Sequence, residues 1–170
     1  KLAAHTTHGG CSFFQGDAAS MPFRADAFDY VVSFFLFHEL PFAMKKSVFV
    51  IDDHTAIREG FRAILERSGS YVVTGEASSA EEVLARLDGG EACPDLFIVD
   101  ISLPGMGGIE LVSALGSRSR SPVVILSMHR RYDYMIRAFR AGAAGYVSKD
   151  AGVECILSAL AAASAGGAYL

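Results

Sequence analysis

From Lys45 onward, short, mainly apolar runs alternate with longer stretches of helical period, and no other feature of the chain restricts its fold as much. The runs are 47–51 (SVFVI), 71–74 (YVVT), 96–99 (LFIV), 123–126 (VVIL) and 145–147 (GYV). A strand with one wet face alternates apolar and polar residues, whereas a continuous run is covered on both faces. Between the runs, Ile57, Phe61, Ile64 and Leu65 recur at the spacing of one helical face. Ser79 with Glu82 fits a capping box opening a helix that buries Val83, Leu84 and Leu87. Ile109 with Leu111 marks a short helix, and Met135, Ile136 and Phe139 mark another. Val153, Ile156, Leu157 and Leu160 share a face of the last. Strands alternating with helices in this way predict an α/β fold with a parallel sheet covered on both sides.

The first 43 residues break this rhythm. Residues 12–15 and 30–37 read as two further strands, with turn-rich sequence between them. The expected organisation is a short β-rich appendage over 1–43 and one domain over 44–170, which a chain of 170 residues has room for. The net charge of -4 gives no basic field to attract nucleic acid. Cys11, Cys93 and Cys155 are odd in number and far apart, without disulfide or zinc spacing, which fits reduced thiols in the cytoplasm. The longest apolar run, 30–37, is too short to span a bilayer, and the N-terminus lacks the pattern of a signal peptide.

In an open parallel sheet, ligands bind beyond the carboxyl ends of the strands. Here those ends carry Asp52 and Asp53, Asp100, Ser127 and Lys149. Three carboxylates meeting at one edge repel unless a cation joins them, and oxygen ligands suit magnesium. One carboxylate can then act as a nucleophile towards phosphorus. A hydroxyl (Ser127) and an ammonium (Lys149) can each hold one phosphoryl oxygen.

Four motifs at these ends, IDDH at 51–54, VDISLPGMGG at 99–108, VVILSMH at 123–129 and GYVSKDA at 145–151, resemble the signatures of the receiver domain of response regulators. The resemblance covers 44–170 and implies a flavodoxin-like fold of five βα units, with parallel strands in the order 2-1-3-4-5. It implies that Asp100 takes a phosphoryl group from a sensor histidine kinase or a small phosphodonor. Asp52, Asp53, Asp100 and the backbone carbonyl of Ser102 would hold Mg2+. Ser127 would be the switching hydroxyl, Tyr146 the aromatic that turns with it, and Lys149 the phosphate-binding cation. Lys149 is followed by Asp150 and Ala151, and the ending GGAYL at 166–170 is similar to receivers of the NarL/FixJ group. Those receivers precede a helix-turn-helix domain, so regulation of transcription is implied for a longer parent and no nucleic-acid-binding domain for these residues. A partner kinase and a homodimer are the expected contacts, with no membrane.

Residues 13–41 resemble the middle of a class I S-adenosylmethionine-dependent methyltransferase, where Asp17 would approach the adenine. The glycine-rich cofactor loop of that family would lie upstream, so a functionless remnant is expected.

Several other residues have competing readings. His54 and His129 flank the site and read as loop residues more readily than as metal ligands. His5, His8 and His38 carry no expected role. Arg130, Arg131, Arg137 and Arg140 fit a solvated helix face better than a nucleic-acid patch. The alanine-rich stretch 159–165 suits a dimer face or a tight core contact equally. An aspartyl-nucleophile phosphohydrolase is the alternative enzyme, but Ser102 stands where such enzymes usually carry a second aspartate. A methyltransferase fragment regulated by a receiver, and a purely structural dimerisation module, are the remaining alternatives.

Overall fold

Each of the five apolar runs forms a strand, and each stretch of helical period forms a helix. The computed structural model describes residues 3–8, 11–15, 45–128 and 131–169. The chain divides into two compact units, Lys1–Ala43 and Met44–Leu170.

In the first unit, β1 (Ala3–His8) pairs antiparallel with β2 (Cys11–Gln15). The second of these was expected at 12–15. The first was not, because AAHTTH has neither an apolar run nor a regular alternation. The expected strand at 30–37 lies outside the described residues, as do Asp17, His38, His129 and Arg130.

In the second unit the elements run β3 (Lys46–Ile51), α1 (Thr55–Arg67), β4 (Tyr71–Ala77), α2 (Ala80–Asp88) and β5 (Leu96–Asp100). They continue with α3 (Gly108–Gly116), β6 (Val123–Ser127), α4 (Tyr132–Ala141), β7 (Gly145–Ser148) and α5 (Val153–Ser164). The sheet order is β4-β3-β5-β6-β7, all parallel. Numbered within this unit, that is the expected 2-1-3-4-5 of a flavodoxin-like receiver fold.

Two apolar layers hold the helices to the sheet. One packs Phe49, Val99, Phe97 and Ile125 beneath α2, α3 and α4, with Val83, Leu111 and Leu115 among the residues that fill it. The other packs Val48, Val50, Ile98 and Leu126 against Leu65 of α1 and Leu160 of α5. Alternate residues of each strand serve opposite layers, which is why the runs are continuously apolar.

Strand β4 runs to Ala77, past the expected end at Thr74. It is an edge strand, so its residues alternate in burial, and Glu76 points outward to Arg58 and Arg62. Its register slips where Phe49 comes opposite Gly75, and a Cβ on Gly75 would collide with the Phe49 ring. The capping box of α2 is split: Ser79 accepts from the Glu82 backbone N–H at 3.2 Å, but the Glu82 carboxylate accepts from Ser78.

On α4, Met135 and Phe139 lean on the core and Ala138 is buried, and Met135, Ile136 and Phe139 also line a groove with Tyr132 and Arg140. On α5, Val153 is exposed, while Ile156, Ala159, Leu160 and Ala163 face the sheet. The alanines at 159 and 163 are therefore a core contact, letting the helix lie close to the strands. Beyond α5 the chain returns to the sheet edge. Tyr169 donates from its N–H to the Ala144 carbonyl at 3.0 Å, and its carbonyl accepts from the Tyr146 N–H at 3.1 Å.

Candidate functional site

The carboxyl ends of β3, β5, β6 and β7 deliver the polar groups to one edge. Asp52 follows β3, and its N–H donates to the Ala77 carbonyl at 3.2 Å. Asp100 is the last residue of β5, and the next N–H, that of Ile101, donates to the Leu126 carbonyl at 3.0 Å. Ser127 ends β6, and its carbonyl accepts from the Lys149 N–H at 2.8 Å. Each of these candidate site residues is thus tied by its own or its neighbour's backbone to the adjacent strand.

The side chains converge as the strand ends do. Lys149 Nζ lies 2.6 Å from Asp52 Oδ2 and 2.9 Å from Asp100 Oδ2. The side chains of Asp52 and Asp100 are only 2% and 3% exposed, and that of Lys149 10%. One ammonium therefore bridges two buried carboxylates, the pairing that buried charge requires. Burial pushes the Lys149 pKa down, but hydrogen bonds and charge from Asp52 and Asp100 outweigh it, and the net shift is upward.

Asp53 stands at the open side of this group. Ligand atoms of Asp52, Asp53, His54 and Asp100 all lie within 4.8 Å of one another, close enough to share one cation. The donors of the three aspartates are hard oxygens, which fit a divalent ion such as Mg2+. Ser102 is exposed in the loop after β5.

That loop is shaped by glycines. Gly105 has φ +71, a left-handed conformation that suits glycine. Gly108 opens α3 directly against the strand end, and a Cβ there would strike the Asp100 carbonyl. Glu81 of α2 fastens the loop by accepting from the Met106 N–H at 3.0 Å.

Ser127 and Tyr146 are both buried. Burial raises the Tyr146 pKa, and a side-chain hydrogen bond with Ser127 pulls it the other way. The two expected switch residues are therefore in contact, with the aromatic ring inside the core layer.

The profile for the response regulator receiver domain matches residues 48–161. This chain belongs to the response regulator receiver family. It is 30% identical to the transcriptional regulatory protein YdfI of Bacillus subtilis over 123 residues, which is 72% of this chain and 57% of that protein. It is 33% identical to the nitrate/nitrite response regulator protein NarL of Escherichia coli over 121 residues, 71% of this chain and 55% of NarL. The receiver thus spans about half the length of the curated relatives it matches. Among solved structures, a LuxR-family two-component response regulator from Aurantimonas superposes with TM-score 0.69 at 32% identity, over 74% of this chain and 89% of that one. The signal receiver domain of NarL from Mycobacterium tuberculosis gives 0.63 at 33% identity, over 72% of this chain and 98% of that one.

A methyltransferase domain profile matches residues 1–73. The two matches overlap at 48–73, and there the structure places β3 and β4 in the receiver sheet. Among the described residues, no helix is long and apolar enough to cross a membrane.

The sequence reading set His54 aside as a loop residue. Its Nδ1 lies 2.8 Å from Asp53 Oδ1 and 3.3 Å from Asp52 Oδ1, at the site. Arg58 went unnoticed altogether: it donates to the Asp52 carbonyl at 2.7 Å and pairs with Glu76 at 3.2 Å. Its position one turn into α1, just after two aspartates, was the available signal. Of the arginines near α4, Arg131 pairs with Asp133 at 3.1 Å and Arg137 with Glu110 at 3.8 Å, and both stack on Tyr134.

Proposed function

We propose that the receiver stores a phosphoryl group on Asp100, received from a phosphohistidine of a sensor kinase or from a small phosphodonor. The observation that carries this reading is the ammonium of Lys149 held between the buried carboxylates of Asp52 and Asp100. An Asp100 carboxylate oxygen attacks phosphorus; the P–O bond forms as the P–N bond to the imidazole breaks, and the electron pair stays with the imidazole. Lys149 then exchanges a carboxylate oxygen for a phosphoryl oxygen, and the Ser127 hydroxyl donates to another. Asp52, Asp53, Asp100 and the Ser102 carbonyl suit Mg2+, which when bound offsets both the carboxylate repulsion and the phosphoryl charge.

Turning the Ser127 hydroxyl towards a phosphoryl oxygen removes its bond to Tyr146. Tyr146 lies in β7 beside α4 and α5, so its re-pairing alters the surface that a partner or second copy reads. The relative YdfI is a transcriptional regulatory protein by name, and we assign this receiver the same output through a longer parent, in the cytoplasm. Ser102, two residues past Asp100, has no carboxyl group to act as a turnover acid or base, which supports storage over hydrolysis. The appendage over 1–43 has no part in this chemistry.

Labelling with acetyl phosphate and Mg2+, followed by intact mass, tests the assignment. The expected result is one added phosphoryl group on the wild type and none on Asp100→Asn. Equal labelling of that variant would overturn it.

A further inference from the structure

We propose that His54 is a metal ligand of this site, making it favour ions that accept imidazole, such as Mn2+, over Mg2+. The inference deepens the preceding reading and rests on its acidic site. His54 occupies the N-cap of α1, where Ser, Thr, Asp or Asn would normally cap through a side-chain oxygen. Its ring makes no such bond. It turns instead to the acid pair, with Nδ1 at 2.8 Å from Asp53 Oδ1 and 3.3 Å from Asp52 Oδ1.

These separations suit a shared ion. An octahedral cation about 2.1 Å from each ligand places neighbouring ligand atoms about 3 Å apart. The two measured separations fall on either side of that value, so an ion can enter between these atoms with little movement of the ring. Lys149 occupies Asp52 Oδ2, while Oδ1 faces His54 and keeps a lone pair beside the bond it accepts from the His54 N–H at 2.9 Å. The imidazole is 66% exposed, so it reaches the ion without a desolvation cost of its own. A set of carboxylates alone suits Mg2+, whereas adding an imidazole raises affinity for later first-row ions selectively.

The test uses calorimetric titration of the full chain with MnCl2 and with MgCl2, alongside pulsed electron paramagnetic resonance of the Mn2+ complex. The wild type should show nitrogen modulation from a bound imidazole. In His54→Ala and His54→Gln that modulation should vanish. The preference for Mn2+ over Mg2+ should then fall by about tenfold or more, by comparison with losses seen on removing metal-site groups. Mn2+ binding that needs Asp53 but shows no nitrogen signal, with the preference unchanged in both His54 variants, overturns this inference and leaves the acidic site standing. Failure of either ion to bind, or unchanged binding in Asp53→Asn, overturns both.

Discussion

The ammonium of Lys149 sits 2.9 Å from the Asp100 carboxylate, both side chains almost closed to water, although 49 residues separate them in sequence. The same ammonium holds Asp52 at 2.6 Å. Its single positive charge thus faces two carboxyl groups, that of the proposed phosphoacceptor and that of the acid beside it.

Replacing that ammonium leaves two buried carboxylates facing each other. Lys149→Met should cost about 3 kcal/mol, the lower end for breaking a buried pair, because the site opens to water at Asp53. Millimolar Mg2+ should restore most of the loss, since a divalent ion supplies the missing charge. Thermal melts with and without Mg2+ measure this. A loss that Mg2+ does not reduce would show that the carboxylates do not share a cation site.

Alkali should weaken the fold through three groups of the same sign. The Lys149 pKa is raised from its ordinary 10.5, burial opposing and the two aspartates prevailing. A raised pKa means stability that is complete below the unfolded value and lost as pH climbs through the folded one. Burial chiefly raises Tyr146 and Tyr71 from 10.0, with a bond to Ser127 opposing at Tyr146, and there too the folded state keeps its proton. The urea midpoint should stay level from neutral pH to about pH 10 and drop above it. Lys149→Met should show a shallower drop. A midpoint level to about pH 11 would contradict this.

Two glycines should respond oppositely to alanine. Gly108→Ala drives a methyl group into the Asp100 carbonyl and should cost about 2 kcal/mol while slowing phosphoryl uptake. Gly60→Ala, in α1 with open space around it, should gain about 0.5–1 kcal/mol through helix propensity. Urea unfolding and acetyl phosphate labelling of both variants check this.

Arg58 should matter to the site without touching the phosphoryl group. Arg58→Ala loses the bond to the Asp52 carbonyl and should cost about 1–2 kcal/mol. It should also weaken Mg2+ binding by loosening Asp52. Arg62→Ala, which also loses a bond to Glu76 but none to Asp52, should leave Mg2+ binding close to wild type. Calorimetry on the pair separates positioning from general stability.

The ends of the central strands were readable because burial on both faces keeps their middles apolar. The first polar residue after 47–51, 96–99 and 123–126 is Asp52, Asp100 and Ser127, whereas the edge strand β4 carries Thr74 and Glu76 within it. Helix faces were readable less well. Ile57 and Val153 fit the apolar period but are exposed, and Ala159 and Ala163 face in. On an alanine-rich helix, close approach selects small residues that carry little periodic signal. The return of Tyr169 to β7 rests on backbone hydrogen bonds, which any side chain permits, so no pattern announced it.

What the sequence determined by itself is the alternation of buried strands with helices, and through it a parallel sheet with acids, a hydroxyl and a lysine at its carboxyl edge. Period and composition are local properties, and local sequence carries them. Tertiary structure alone decided which groups meet. Lys149 spans 97 residues to reach Asp52, and the strand order and register put it there. The same packing placed Arg58 beneath Asp52, whereas His54 meets Asp52 and Asp53 as a sequence neighbour. The Arg58 contact depends on where α1 settles against β3 and β4, which is a matter of side-chain packing across the whole domain.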